Sequence, residues 1–69
     1  MKPLPFREVK RRLEAAGFVQ ASQKGSHVKF VKGARTVIVP CHQEVTAGVL
    51  RSILRQTGLT KDEFDSLRK

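Results

Sequence analysis

Lys24-Gly25-Ser26-His27-Val28-Lys29-Phe30 is a glycine-bearing turn followed by regular alternation of polar and apolar residues. Successive side chains of a strand point to opposite faces, so His27 and Lys29 look one way while Val28 and Phe30 look the other. A titratable ring and a cation thereby share a surface that is backed by an apolar layer. Three strands are expected around this stretch: Phe18 to Gln23, His27 to Lys32, and Arg35 to Val39. With two-residue loops at Lys24-Gly25 and Gly33-Ala34, Phe30 pairs with Val37 and Val19, and Val28 pairs with Val39 and Ala21. The apolar residues then fall on one face, whereas a register slip of one residue would scatter them over both. On the opposite face this register places Gln20, Ser22, His27, Lys29 and Thr36, together with Phe18, Val31 and Ile38.

Helical patterns flank the strands. Met1 to Leu4 reads as a tail, and Pro5 suits the first turn of a helix because its missing N–H is not needed there. Phe6, Val9, Leu13 and Ala16 follow at helical spacing, with Arg7, Lys10, Arg11 and Arg12 on the other faces. Glu8 is placed to pair with Arg12 four residues on, and Gly17 closes the helix with Phe18 folding back on its last turn. Pro40 to Val45 breaks the strand pattern and reads as a loop. Thr46 caps a second helix whose inward stripe is Leu50, Ile53, Leu54 and Thr57, with Arg51 and Arg55 outward and Gly58 at its end. Thr60-Lys61-Asp62-Glu63 fits a capping box, and Leu59 with Phe64 fits the hydrophobic staple around it. A short third helix is therefore expected from Lys61 to Leu67. The fold class is α+β, in the order α-β-β-β-α-α, with helices on one face of a small antiparallel sheet; double-stranded-RNA-binding domains use this order.

Sixty-nine residues accommodate one core, so residues 1–69 are expected to form a single domain. Fourteen Lys and Arg against six Asp and Glu give a net charge of +8 and an isoelectric point near 10.7. That excess attracts polyanions, of which nucleic acid is the commonest in a cell. No apolar run approaches the ~20 residues of a membrane span and no signal-peptide pattern precedes the first helix, so a cytoplasmic protein with no membrane partner is expected. Cys41 stands alone, which excludes a disulfide framework and a thiolate zinc cluster; it reads as a small hydrophobe near a strand end.

Two histidines and six scattered carboxylates offer no recurring ligand spacing, so no metal and no cofactor is expected. Cys41 and His42 are neighbours in the chain, and adjacent side chains point apart, which argues against a nucleophile and base pair. RNA, however, carries its own nucleophile, the 2′-hydroxyl beside each phosphate. One imidazole to accept its proton and cations on the phosphate suffice for cleavage. His27 is the candidate base. Ser26, Lys29, His42 and the arginines Arg11, Arg12, Arg51 and Arg55 are the candidate RNA contacts. The alternative is an RNA-binding module without catalysis, for instance a ribosome-associated one.

The chain resembles the HicA family of bacterial toxin–antitoxin systems. The resemblance runs from Val9-Lys10-Arg11-Arg12-Leu13-Glu14-Ala15-Ala16-Gly17-Phe18 through Lys24-Gly25-Ser26-His27-Val28-Lys29-Phe30 and Val37-Ile38-Val39-Pro40-Cys41-His42 to Gly48-Val49-Leu50-Arg51-Ser52-Ile53-Leu54-Arg55-Gln56-Thr57-Gly58-Leu59. These motifs are specific as a set and weak singly. Val28 and Val49 depart from it, standing where relatives often have a second histidine or bulky residue and a threonine. The resemblance implies a double-stranded-RNA-binding-like fold and metal-independent cleavage of messenger RNA, with the Gly-Ser-His histidine, His27, as catalytic residue. It further implies a HicB antitoxin that binds the toxin and covers that histidine.

Overall fold

A computed structural model describes residues 2–41 and 44–67. Along the chain come β1 (Leu4–Pro5), α1 (Phe6–Ala15), β2 (Val19–Lys24), β3 (His27–Lys32), β4 (Arg35–Pro40), β5 (Glu44–Val45), α2 (Ala47–Thr57) and α3 (Lys61–Ser66). The fold is α+β, and β2, β3 and β4 form the expected antiparallel meander in that order. Its inner face contributes Val28, Phe30, Val37 and Val39 to a core completed by Val9 and Leu13 of α1, Leu50 and Ile53 of α2, and Phe64 of α3.

The β3–β4 hairpin has the register read from the sequence, with Phe30 opposite Val37 and Val28 opposite Val39. The β2–β3 hairpin does not. Its two loop residues are Gly25 and Ser26, so Lys24 faces His27 and Gln23 faces Val28. Gly25 and Gly33 each take a positive φ, 61° and 58°, and among the described residues only glycines do. A two-residue loop of this kind puts glycine first, which makes Gly25-Ser26 the counterpart of Gly33-Ala34. Farther along, the register shifts between Gln20 and Ser22, where Ala21 forms a bulge. The extra residue reverses the faces beyond it: Val19 opposes Val31 on the outer face, 60 % exposed, and Phe18 turns into the core, 2 % exposed. The sequence register had these two residues the other way round. Ile38 lies on the outer face as expected and is 42 % exposed.

Two further departures concern segments too short to alternate. The tail and the loop read from the sequence meet as a two-stranded ladder, Leu4 opposite Val45 and Pro5 opposite Glu44, and Val45 is fully buried. The first helix thus starts at Phe6 with Pro5 as its N-cap. At its end, Phe18 N–H donates to Leu13 O at 2.9 Å and Gly17 N–H to Glu14 O at 3.0 Å, the paired bonds of a Schellman closure. The Thr46 cap accepts from Val49 N–H, and both halves of the Thr60–Glu63 capping box are formed.

Candidate nucleic-acid interface

Among the described residues, the hairpin carrying His27 is held by few bonds outside its own ladder. Cys41 N–H donates to Ser26 O at 2.7 Å, extending the β3–β4 ladder past Pro40. The Gln23 amide donates to Gly25 O at 3.1 Å and to Cys41 Sγ at 3.6 Å. Cys41 itself is half-buried against the core, near the strand end where the sequence put it. With the turn fixed at Gly25-Ser26, His27 begins β3 and sits between Lys24 of β2 and Pro40 of β4. Cross-strand partners share a face, so Lys24, His27 and Pro40 form one row across the outer surface. The next row is Ser22, Lys29 and Ile38, and the one after is Val19, Val31 and Thr36. Ser26, His27, Lys24 and Lys29 are all exposed. Lys24 was not among the residues expected at this site; setting glycine first in the loop would have placed it opposite His27.

The surface around His27 is of one sign. Residues 15–43 contain no Asp or Glu and carry Lys24, Lys29, Lys32 and Arg35. Two of these cations belong to the helix side. Lys32 Nζ donates to Ala16 O at 2.6 Å and Arg35 Nη1 to Gln56 O at 3.3 Å, each meeting the carbonyl end of a helix, where positive charge is favoured. Lys24 and Lys29 remain on the outer face beside the ring. Two exposed lysines at strand positions whose Cβ atoms stand about 5–7 Å from that of His27, with no carboxylate between, suit a bound phosphate.

The other expected contacts are distributed elsewhere. Arg51 and Arg55 are exposed on α2, which packs along β4, where Ile38 N–H donates to Gln56 Oε1 at 3.2 Å. Arg12 departs from the outward basic face expected of it, being 7 % exposed. Its Nε donates to Glu8 Oε2 at 2.8 Å, its Nη1 to Asp65 Oδ1 at 3.4 Å, and its guanidinium lies 5.0 Å from the centre of the Phe64 ring. Arg11 is half-buried and shares Glu8, with Nη2 to Oε2 at 2.6 Å and Nε to Oε1 at 3.1 Å, and it reaches Leu67 O at 3.3 Å. Hydrogen bonds from Arg11 and then Arg12 hold the Glu8 carboxyl down at about 2, and the same carboxylate raises the Arg11 pKa. His42 lies outside the described residues. Among those described, no group of three or more His, Cys, Asp or Glu side chains could hold a metal ion, and no helix is long and apolar enough to cross a membrane.

No curated protein matched when the chain was compared with them. The family described as HicA toxin of bacterial toxin-antitoxin matches residues 6–59, from the start of α1 to the turn after α2. That span takes in the whole meander, both hairpins and the row holding His27, and the chain belongs to the HicA toxin family.

Proposed function

We propose that this HicA-family toxin is an endoribonuclease that cuts messenger RNA in the cytoplasm, with His27 as general base. The observation that carries this reading is the exposed imidazole on a sheet face that offers Lys24 and Lys29 and no carboxylate. In the reaction His27 accepts the proton of a 2′-hydroxyl as that oxygen attacks the adjacent phosphorus. The bond to the 5′-oxygen breaks, the 5′-oxygen leaves with a proton from solvent, and a 2′,3′-cyclic phosphate remains. Lys29 and Lys24 offset charge on the non-bridging oxygens, and Ser26 donates a hydrogen bond to the phosphate or orients the ring. Arg51 and Arg55 add phosphate contacts farther along the strand. No step requires a metal.

A toxin of a toxin–antitoxin family implies an antitoxin. A HicB-type protein that lays acidic groups on Lys24 and Lys29 would hide the base and exclude RNA together.

The test is cleavage of RNA by purified protein in EDTA. The wild type should cut, His27→Ala should fold and not cut, and a DNA strand of the same sequence should bind and stay whole, since it lacks the nucleophile. Cutting by His27→Ala at the wild-type rate, or cleavage of the DNA strand, would refute the mechanism. Tight binding without cutting by the wild type would favour a non-catalytic RNA-binding module.

A further inference from the structure

We propose that the substrate strand lies unpaired across the outer face of the β2–β3–β4 sheet, its bases against Val19, Val31 and Ile38 and its phosphates on Lys24 and Lys29. The proposal rests on the nuclease reading for His27 and names the state of the RNA that the site accepts. Three observations converge on it. First, His27 faces away from the helices, so RNA at the ring lies on the outer face of the sheet. Second, that face exposes apolar side chains beside its cations: Val19 is 60 % and Ile38 42 % exposed, with half-buried Val31 between them. Unpaired bases have apolar faces that gain by leaving water for such a floor, whereas a duplex keeps its base faces stacked inside. Third, several cations on the helix side are engaged internally, Arg12 by Glu8 and Asp65, Arg11 by Glu8 and Leu67 O, Lys32 by Ala16 O, while Arg51 and Arg55 stay exposed on α2 alongside β4. A duplex reader must span successive grooves over about 16 base pairs, while Lys24 and Lys29 stand within two strand positions of each other. The chemistry agrees. Attack needs the 2′-oxygen in line with the bond to the leaving 5′-oxygen, and a strand held in an A-form helix keeps it off that line.

The experiment measures fluorescence anisotropy of a 12-nucleotide 2′-O-methyl strand, which cannot be cut, alone and annealed to its complement. The single strand should bind at least tenfold more tightly than the duplex. Ile38→Glu and Val19→Glu should each weaken single-strand binding about tenfold, while Ala15→Glu, the same charge change on α1, should change it less than twofold. Melting curves confirm that the variants fold. Should either glutamate variant unfold, crosslinking of a 4-thiouridine strand to the wild type decides instead, with adducts expected in residues 19–40. Equal or tighter duplex binding, unaltered affinity in folded Ile38→Glu and Val19→Glu, or adducts confined to α1 and α3 would overturn the proposal. So would loss of antitoxin binding in these variants with single-strand binding intact, which would make the face a protein interface only. Because the strand is uncleavable, these outcomes are independent of catalysis. A wild type that holds it on the sheet yet never cuts the all-ribose strand would remove the nuclease reading and leave the surface in place.

Discussion

Arg12→Ala should act on stability and leave RNA binding almost untouched. Its side chain is 8 % exposed and joins α1 to α3 through Glu8, Asp65 and the Phe64 ring. The bond to Glu8 at 2.8 Å is charge-assisted and short, and truncating such a partner costs about 1–2 kcal/mol, because Arg11 still satisfies the carboxylate. The contact with Asp65 is long and half-exposed on the carboxylate side, so it adds at most about 0.5 kcal/mol. The ring contact adds about 0.5–1 kcal/mol. The sum is about 1.5–3.5 kcal/mol, a large part of the ~3–5 kcal/mol that a core of this size supplies. In a domain of this length the melting temperature should fall by roughly 10–20 °C. Arg12→Met, which keeps the apolar stem over Phe64, should lose about half as much. Thermal melts followed by circular dichroism give the first quantity, and RNA affinity measured well below each melting point gives the second. If Arg12→Ala melts like the wild type and loses RNA binding tenfold, Arg12 is a phosphate contact and the stability reasoning fails.

The Glu8 carboxyl is held at about 2 against 4.5 for the free group, so its contribution is complete above about pH 4.5 and disappears as pH falls through 2. Glu8→Gln should flatten the acid limb of stability against pH by about 1–2 kcal/mol after solvent screening, and an acid titration by circular dichroism with a limb equal to the wild type's would refute this. RNA affinity should fall steeply with salt; Lys29→Ala should lower both the salt slope and the cleavage rate, and Arg55→Ala the slope alone, as binding isotherms from 50 to 200 mM salt will report. Antitoxin binding should raise the melting temperature, by an amount equivalent to about 2.7 kcal/mol at a hundredfold excess over Kd, and should compete with RNA. Ile38→Glu should weaken that complex without unfolding the toxin, and a glutamate variant that unfolds while Thr36→Glu stays folded would contradict the outward placement of Ile38.

Local chemistry carried most of the fold. The helix stripes of Val9 and Leu13 and of Leu50 and Ile53, the Thr46 and Thr60 caps, and the β3–β4 register all follow from spacings of a few residues. The β2–β3 register was half legible. Glycine stands second in one common two-residue loop and first in the other, so both Lys24-Gly25 and Gly25-Ser26 fit the sequence, and nothing in Gln20-Ala21-Ser22 announces a bulge, so Phe18 and Val19 exchange faces unannounced. The β1–β5 ladder escapes because two residues cannot show an alternation. Arg12 is the instructive case at the level of the site. Its partner Glu8 is readable at four residues, but Phe64 and Asp65, which bury it, lie more than fifty residues away. Charge on a helix face looks the same in sequence whether water or another helix meets it. For the candidate site, the outward direction of His27 and Lys29 follows from alternation alone, while the place of Lys24 depends on the turn.

The two hairpins of the meander stand in different mechanical situations. Lys32 and Arg35, at the Gly33-Ala34 end, grip the carbonyl termini of α1 and α2, so moving that hairpin would disturb both helices at once. The Gly25-Ser26 end is tied by a backbone bond from Cys41 and one glutamine side chain. On the proposed function, a strand of RNA drawn against His27 would pull on the end of the sheet with the fewer ties to the helices. A small core could in this way tolerate movement of the proposed substrate-binding hairpin without loosening its helices.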